Sequence, residues 1–167
     1  MPANVELAAV GVGEFTGDSF PDVVVAGNAS KKFYTFRGNG LGGFSQTKAF
    51  ALTGAPTALA IMDFGMNGFD GAPDIAFATD ASTDAIGLCV ATGKNTFGRD
   101  SPQRLGLGGM PRTFMVLDLD REVVPGGTPH PELVVGVVRY DDVVENLPVD
   151  FSVFRANLAA GPGLFND

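Results

Sequence analysis

The sequence predicts an all-β protein built from short antiparallel strands, and three observations carry that prediction. The first is turn density: Gly 23 and Pro 11 in 167 residues break the chain about every ten residues, too often for long helices. The second is aromatic usage. Phe 14 with Tyr 2 and no Trp suits half-buried strands, where aromatic and β-branched side chains pack well. The third is a strand-entry motif that returns. Pro21-Asp22-Val23-Val24, Pro73-Asp74-Ile75-Ala76 and Pro131-Glu132-Leu133-Val134 lie 52 and 58 residues apart. No stretch keeps apolar residues at i, i+3, i+4 and i+7, the helical recurrence.

Taken in order, residues 5–12 read as a strand whose small and apolar side chains are expected to be buried on both faces. An acidic turn follows, and residues 22–26 form the second strand. Gly27-Asn28-Ala29-Ser30 has turn composition. Residues 32–37 alternate polar and aromatic side chains as a half-exposed third strand. Gly38-Asn39-Gly40-Leu41-Gly42-Gly43 is a glycine-rich turn closed by Phe44, and residues 48–52 make the fourth strand. The cycle then restarts, with strands at 57–64, 74–78 and 85–92, a turn at 93–97, and a fourth strand at 104–107. A third cycle has strands at 112–119, 132–138 and 150–157 and no fourth strand.

Two further markers keep the same period. Leu52-x-Gly54-x-Pro56 and Leu107-x-Gly109-x-Pro111 are 55 residues apart, and Phe44 and Phe97 are 53 apart. Four short strands in a repeat of roughly 50 residues are the signature of β-propeller blades. The chain therefore reads as one domain, residues 1–167, with repeats at about 1–54, 55–109 and 110–167. A β-sandwich is the competing architecture.

Composition excludes several function classes. A formal net charge of -8 opposes nucleic acid and anionic membrane surfaces, both of which need Lys/Arg clusters. Lys31-Lys32 beside Phe33-Tyr34 is too thin a patch to reverse that. No apolar run reaches the roughly 18 residues of a membrane span, so no transmembrane segment is expected. The first residues, Met1-Pro2-Ala3-Asn4, lack a secretory leader's basic start. Cys89 stands alone in an apolar stretch and reads as an inert buried thiol. His130, between Pro129 and Pro131, reads as a solvated loop residue. Neither Gly11-Val12-Gly13 nor Gly38–Gly43 is followed by a helix signal, so neither is a phosphate cradle.

The acidic turn Glu14-Phe15-Thr16-Gly17-Asp18-Ser19-Phe20-Pro21-Asp22, its two returns and the Asn39-Gly40-Leu41-Gly42-Gly43-Phe44 turn resemble the FG-GAP/VCBS repeats. These repeats form the integrin α propeller and occur in many bacterial surface proteins. Their pattern runs approximately Asp-Phe-Asn-Gly-Asp-Gly-x-x-Asp, followed by an apolar strand. Here Glu14, Thr16, Asp18 and Asp22 occupy its oxygen-bearing places, and Ser19 stands where glycine is usual. In the second copy Asp63, Asn67, Asp70 and Asp74 correspond, with three extra residues in the loop. In the third, Asp118, Asp120 and Glu122 keep the alternation, and an insertion at 123–131 separates them from Glu132.

The resemblance implies Ca2+ in these loops, in a structural role. Alternating oxygen side chains on a tight loop can point to one centre, and Ca2+ takes about six to eight oxygens. The alternative is that short acids hydrogen-bond the local backbone with no metal. The resemblance also implies an extracellular or cell-surface, non-catalytic module that binds a protein or glycan through its loops. The inserted loops at 123–131 and 140–148 are the divergent candidates. Three blades leave apolar faces open at both ends, so a homo-oligomer or a completing partner chain is expected. Two other readings stay open: a structural subunit of a larger assembly, and part of a polysaccharide-acting enzyme with paired carboxylates.

Overall fold

The computed structural model describes residues 6–63, 71–80, 85–93, 96–99, 103–104, 109–117, 132–139, 149–156 and 165–166. Among them every regular element is a strand, and the strands form three antiparallel sheets. In the first sheet, β1 (Leu7–Gly13), β2 (Asp22–Gly27), β3 (Lys32–Gly38) and β4 (Phe44–Ala51) pair in chain order. The second contains β5 (Pro56–Met62), β6 (Asp74–Thr79), β7 (Ala85–Gly93) and β8 (Thr96–Arg99) in the same order. In it β9 (Gln103–Arg104) also pairs with β7. The third is β10 (Gly109–Leu117), β11 (Glu132–Arg139), β12 (Val149–Ala156) and β13 (Phe165–Asn166).

The first strands of the sheets lie side by side, β5 between β1 and β10. The sequence explains that closeness. Glycine at position 11 gives β1 no side chain where Ile61 Cδ1 and Leu59 Cδ2 of β5 approach; a Cβ there would stand 2.7 Å from Leu59 Cδ2. On the other side, the Thr57 hydroxyl of β5 donates to the Pro111 carbonyl of β10 at 3.0 Å. The second sheet is thus covered on both faces, and all six residues of β6 are buried. That is why β6 reads as a continuous small-apolar run rather than an alternation.

Between the first two sheets lies a core of Phe15, Val24, Phe33, Leu52, Ile75 and Phe77, with Phe50, Leu59 and Ile61 packed against it. Phe33 and Phe50, opposite each other on β3 and β4, stack with ring centroids 4.8 Å apart. Burying one such side chain stabilises the fold by about 1.5–3 kcal/mol.

Three expectations are corrected. Residues 5–12 were expected to be buried on both faces, but Leu7, Val10 and Val12 of β1 are 56%, 66% and 62% exposed. Burial on both faces needs a sheet on either side, and β1 has β5 on one side only. The third sheet was expected to stop at three strands; β13 adds a short fourth, pairing Asn166 with Arg155 and Phe165 with Ala156. In the second sheet β8 takes the fourth place beside β7; of the strand expected at 104–107, Arg104 together with Gln103 pairs back to the start of β7, and residues 105–107 lie outside the described residues. Two-residue pairings and a strand containing Gly98 carry no period-2 pattern, so the sequence does not announce them. No helix among the described residues is long and apolar enough to cross a membrane.

Candidate functional site

The turn between β1 and β2 and the turn between β3 and β4 meet at one end of the first sheet, and Asp22 ties them together. Asp22 opens β2, is fully buried, and uses both carboxylate oxygens. Oδ2 accepts the amide N–H groups of Phe15 at 2.8 Å and Thr16 at 2.9 Å. Oδ1 accepts the Gly38 N–H at 2.9 Å. Charge-assisted bonds of this kind offset the cost of burying a carboxylate. Gly38 is required for the approach, because a Cβ there would collide with the Pro21 carbonyl oxygen.

The same position recurs in the other sheets. Asp74 opens β6 and is fully buried, and Glu132 opens β11 at 2% exposure. The strand-entry acid is therefore an interior group in all three sheets.

The other acids of the first turn are also engaged. Glu14 Oε1 accepts the Gly17 N–H, and the Asp18 N–H at 3.2 Å. Asp18 Oδ1 accepts the Phe20 N–H at 3.0 Å, and Oδ2 pairs with Arg37 Nε at 2.7 Å. The Phe20 amide, and after it the Arg37 guanidinium, hold the Asp18 carboxyl below the usual carboxylate range. The Thr16 hydroxyl acts more weakly in the same direction without reaching hydrogen-bond geometry; its oxygen is buried with no partner. Ser19, in the place where the repeat pattern carries glycine, has φ +69°, the left-handed conformation that glycine adopts at no steric cost.

As arranged, this donor set does not fit a calcium shell. Asp22 faces inward to three amides, Asp18 is bound to the Phe20 amide and Arg37, Glu14 Oε1 accepts two amides, and Thr16 Oγ1 is buried without a partner. Ca2+ needs about six to eight converging oxygens. Among the described residues no group of three or more His, Cys, Asp or Glu side chains is placed to hold a metal ion. In the second loop, Asp63 Oδ2 accepts the Gly71 N–H at 2.7 Å, and Asp74 is buried. Asn67, Asp70, Asp118, Asp120, Glu122 and His130 lie outside the described residues, as do the loops at 123–131 and 140–148 and the side chain of Cys89.

Between the two turns of the first sheet runs an open groove of about 490 Å³, lined by Asp18, Phe20, Arg37, Asn39, Phe44 and Ser45 among others. Asn39 Oδ1 accepts the Leu41 and Gly43 N–H groups, each at 2.9 Å, which fixes the turn and leaves the amide Nδ2 as a donor. Phe20 lies over Gly40, whose φ is +69° and where a Cβ would meet Phe20 Cδ1 at 2.6 Å. Phe20 and Phe44 are 44% and 55% exposed. Reading acids for metal chemistry passed over Phe20, Arg37, Asn39 and Phe44. The signal that points to them is Phe20, an aromatic inside the turn where no strand face calls for it, with Phe44 at the start of β4 lining the same groove.

No curated protein matches the chain closely enough to be counted as a relative. The family model of the FG-GAP-like repeat matches residues 15–69, from the first turn through the first sheet and β5 into the following loop. The chain carries an FG-GAP-like repeat.

Proposed function

We propose that the chain is a non-catalytic interaction module of β-propeller type, its three sheets being blades of a ring that a second copy completes. The observation that supports this reading is the arrangement of the sheets. First strands stand side by side in the order β1, β5, β10, while each outer sheet leaves apolar side chains uncovered. Leu7, Val10 and Val12 are exposed at one end, and Met115 (58%) and Leu117 (38%) at the other. The middle sheet covers a neighbour on each face, and the same packing repeated between molecules sets the third sheet of one copy on the first sheet of the next. Done twice, this closes a six-bladed ring, within the roughly 4–8 blades that propellers use. The FG-GAP-like repeat favours a role outside the cell, in which loops at the blade ends recognise a protein or glycan. Fold alone does not assign the ligand.

Light scattering on the eluting protein tests the closure. A dimer is expected at micromolar concentration, converted to monomer by V12D or M115E, each placed on one of the two open faces. A wild-type monomer at about 100 μM would refute second-copy closure, since a ring interface of standard size holds at that concentration.

A further inference from the structure

We propose that the groove between the β1–β2 and β3–β4 turns binds a neutral pyranose unit of a glycan, stacked on Phe20 or Phe44 and hydrogen-bonded by Asp18, Arg37 and Asn39. The proposal rests on the module reading above and names the ligand class that one of its loop clusters would take. Two exposed phenylalanines at one opening give an apolar platform with no hydroxyl of its own, suited to the C–H face of a sugar ring. The polar part of the lining is an ion pair, Arg37 Nε to Asp18 Oδ2 at 2.7 Å, with the Asn39 amide beside it. A ligand carrying either charge must be repelled by one member of that pair or displace the other. A polyol does neither, because vicinal hydroxyls can donate to the carboxylate and accept from the guanidinium and amide N–H groups. The volume of about 490 Å³ falls in the range of about 300–1,000 Å³ typical of small-ligand sites.

The internal repeat separates Phe20 from the fold's own needs. Residues required to build each sheet return with the period, as Asp22, Asp74 and Glu132 do. Phe44 returns as Phe97. Phe20 does not return, since Ala72 and His130 precede the corresponding strand-entry residues Pro73 and Pro131. Arg37 is absent from the second copy, where Thr92 precedes Gly93, but returns in the third as Arg155, in Phe154-Arg155-Ala156-Asn157 and opposite the strand-entry acid Glu132. The first copy alone carries both Phe20 and Arg37, and Phe20, missing from both other copies, is not required to form a sheet.

The test is titration of isotope-labelled protein with neutral oligosaccharides of glucose, galactose, mannose and N-acetylglucosamine, with oligogalacturonate, an acidic peptide and a lysine peptide as charged counterparts. The expected result is that at least one neutral oligosaccharide shifts the amide resonances of Phe20, Leu41 and Gly43. F44A should weaken that binding about tenfold, and R37M should weaken it while the solution mass stays that of the wild type. Three results would each overturn the assignment: no shift from any neutral oligosaccharide at about 10 mM, unchanged affinity in both variants, or tighter binding of a charged probe. A chain that dimerises as proposed yet ignores every sugar loses the groove assignment and keeps the module reading. A monomer that binds sugar keeps the groove assignment and loses the second-copy closure.

Discussion

Replacing Asp22 with alanine is the perturbation that most directly tests the account of the first turn. The carboxylate accepts three amide N–H groups, from Phe15, Thr16 and Gly38, at 2.8–2.9 Å. The bonds to Phe15 and Gly38 are buried, and the one to Thr16 is partly buried. Alanine leaves all three donors behind. An abandoned buried donor costs about 1–3 kcal/mol, so two buried and one partly wetted donor give about 3–6 kcal/mol. Domains of this size are stable by about 5–15 kcal/mol, so the loss is a large share of the total. Asp22→Asn keeps the shape but turns an amide N–H2 toward at least one of the three donors, and about 2–3 kcal/mol is expected. The assay is urea unfolding followed by circular dichroism, at a fixed protein concentration because association contributes to apparent stability. With a slope of about 2 kcal/mol/M, D22A should move the midpoint down by about 2 M. Hydrogen exchange at the Phe15 and Gly38 amides should accelerate with it. A midpoint shift below about 0.5 M, or unchanged protection at those two amides, would show that the carboxylate does not hold the turns together and would refute the reasoning.

Four other outcomes are expected. Ser19→Gly should raise the melting temperature, because it relieves a left-handed φ of +69°; the gain is up to about 1 kcal/mol, reduced by glycine's added freedom in the unfolded chain. Gly11→Val should cost about 1–3 kcal/mol by forcing Leu59 and Ile61 of β5 aside, and a wild-type midpoint for that variant would contradict the packing of β1 on β5. The Asp18 carboxyl is held below its ordinary value of 3.8, so its contribution is present above that pH and lost as pH falls through the lowered value. Arg37→Met should flatten the acid limb of a stability–pH curve below about pH 4, and an identical limb would count against the ion pair. Chelation with EDTA should leave hydrogen exchange in β1–β4 unchanged, since amides and Arg37 occupy the acids of that turn; loss of protection there would mean that a metal shell forms after all.

The strands were largely legible in the sequence, and the chemistry of the turn was not. Strands β2, β6 and β11 begin at Asp22, Asp74 and Glu132, the residues that the recurring motif marks, because a proline followed by an acid and an apolar run is a local signal. Exposed apolar side chains at Leu7, Val10, Val12, Met115 and Leu117 agree with the expectation of open faces, and the same exposure overturns the expected burial of β1. What the sequence could not give was the partner of each acid. The sequence leaves Asp22 open between metal ligand and backbone acceptor; in the structure it accepts the nearby Phe15 and Thr16 amides and that of Gly38, 16 positions away and brought against it by β3. Asp18 likewise meets Arg37, 19 positions away, only through the β2–β3 pairing. Long-range approach decides such roles, and local spacing does not encode it.

This division has a consequence for where recognition can lie. An acid that accepts three amides at a strand entrance does internally what a bound cation does from outside: it pins a turn against its neighbour. Asp22 does so here, Glu14 accepts the Gly17 and Asp18 amides, and Asp18 pairs with Arg37, which reaches across from β3 and is 56% exposed itself. The pair sits at the rim of a groove flanked by Phe20 and Phe44, a mixed apolar and polar surface. Its net charge is balanced locally although the whole chain carries -8. Long-range steering by that charge therefore disfavours anionic ligands while leaving a neutral one indifferent to it, which is the selectivity that the sugar and charged-probe titrations separate.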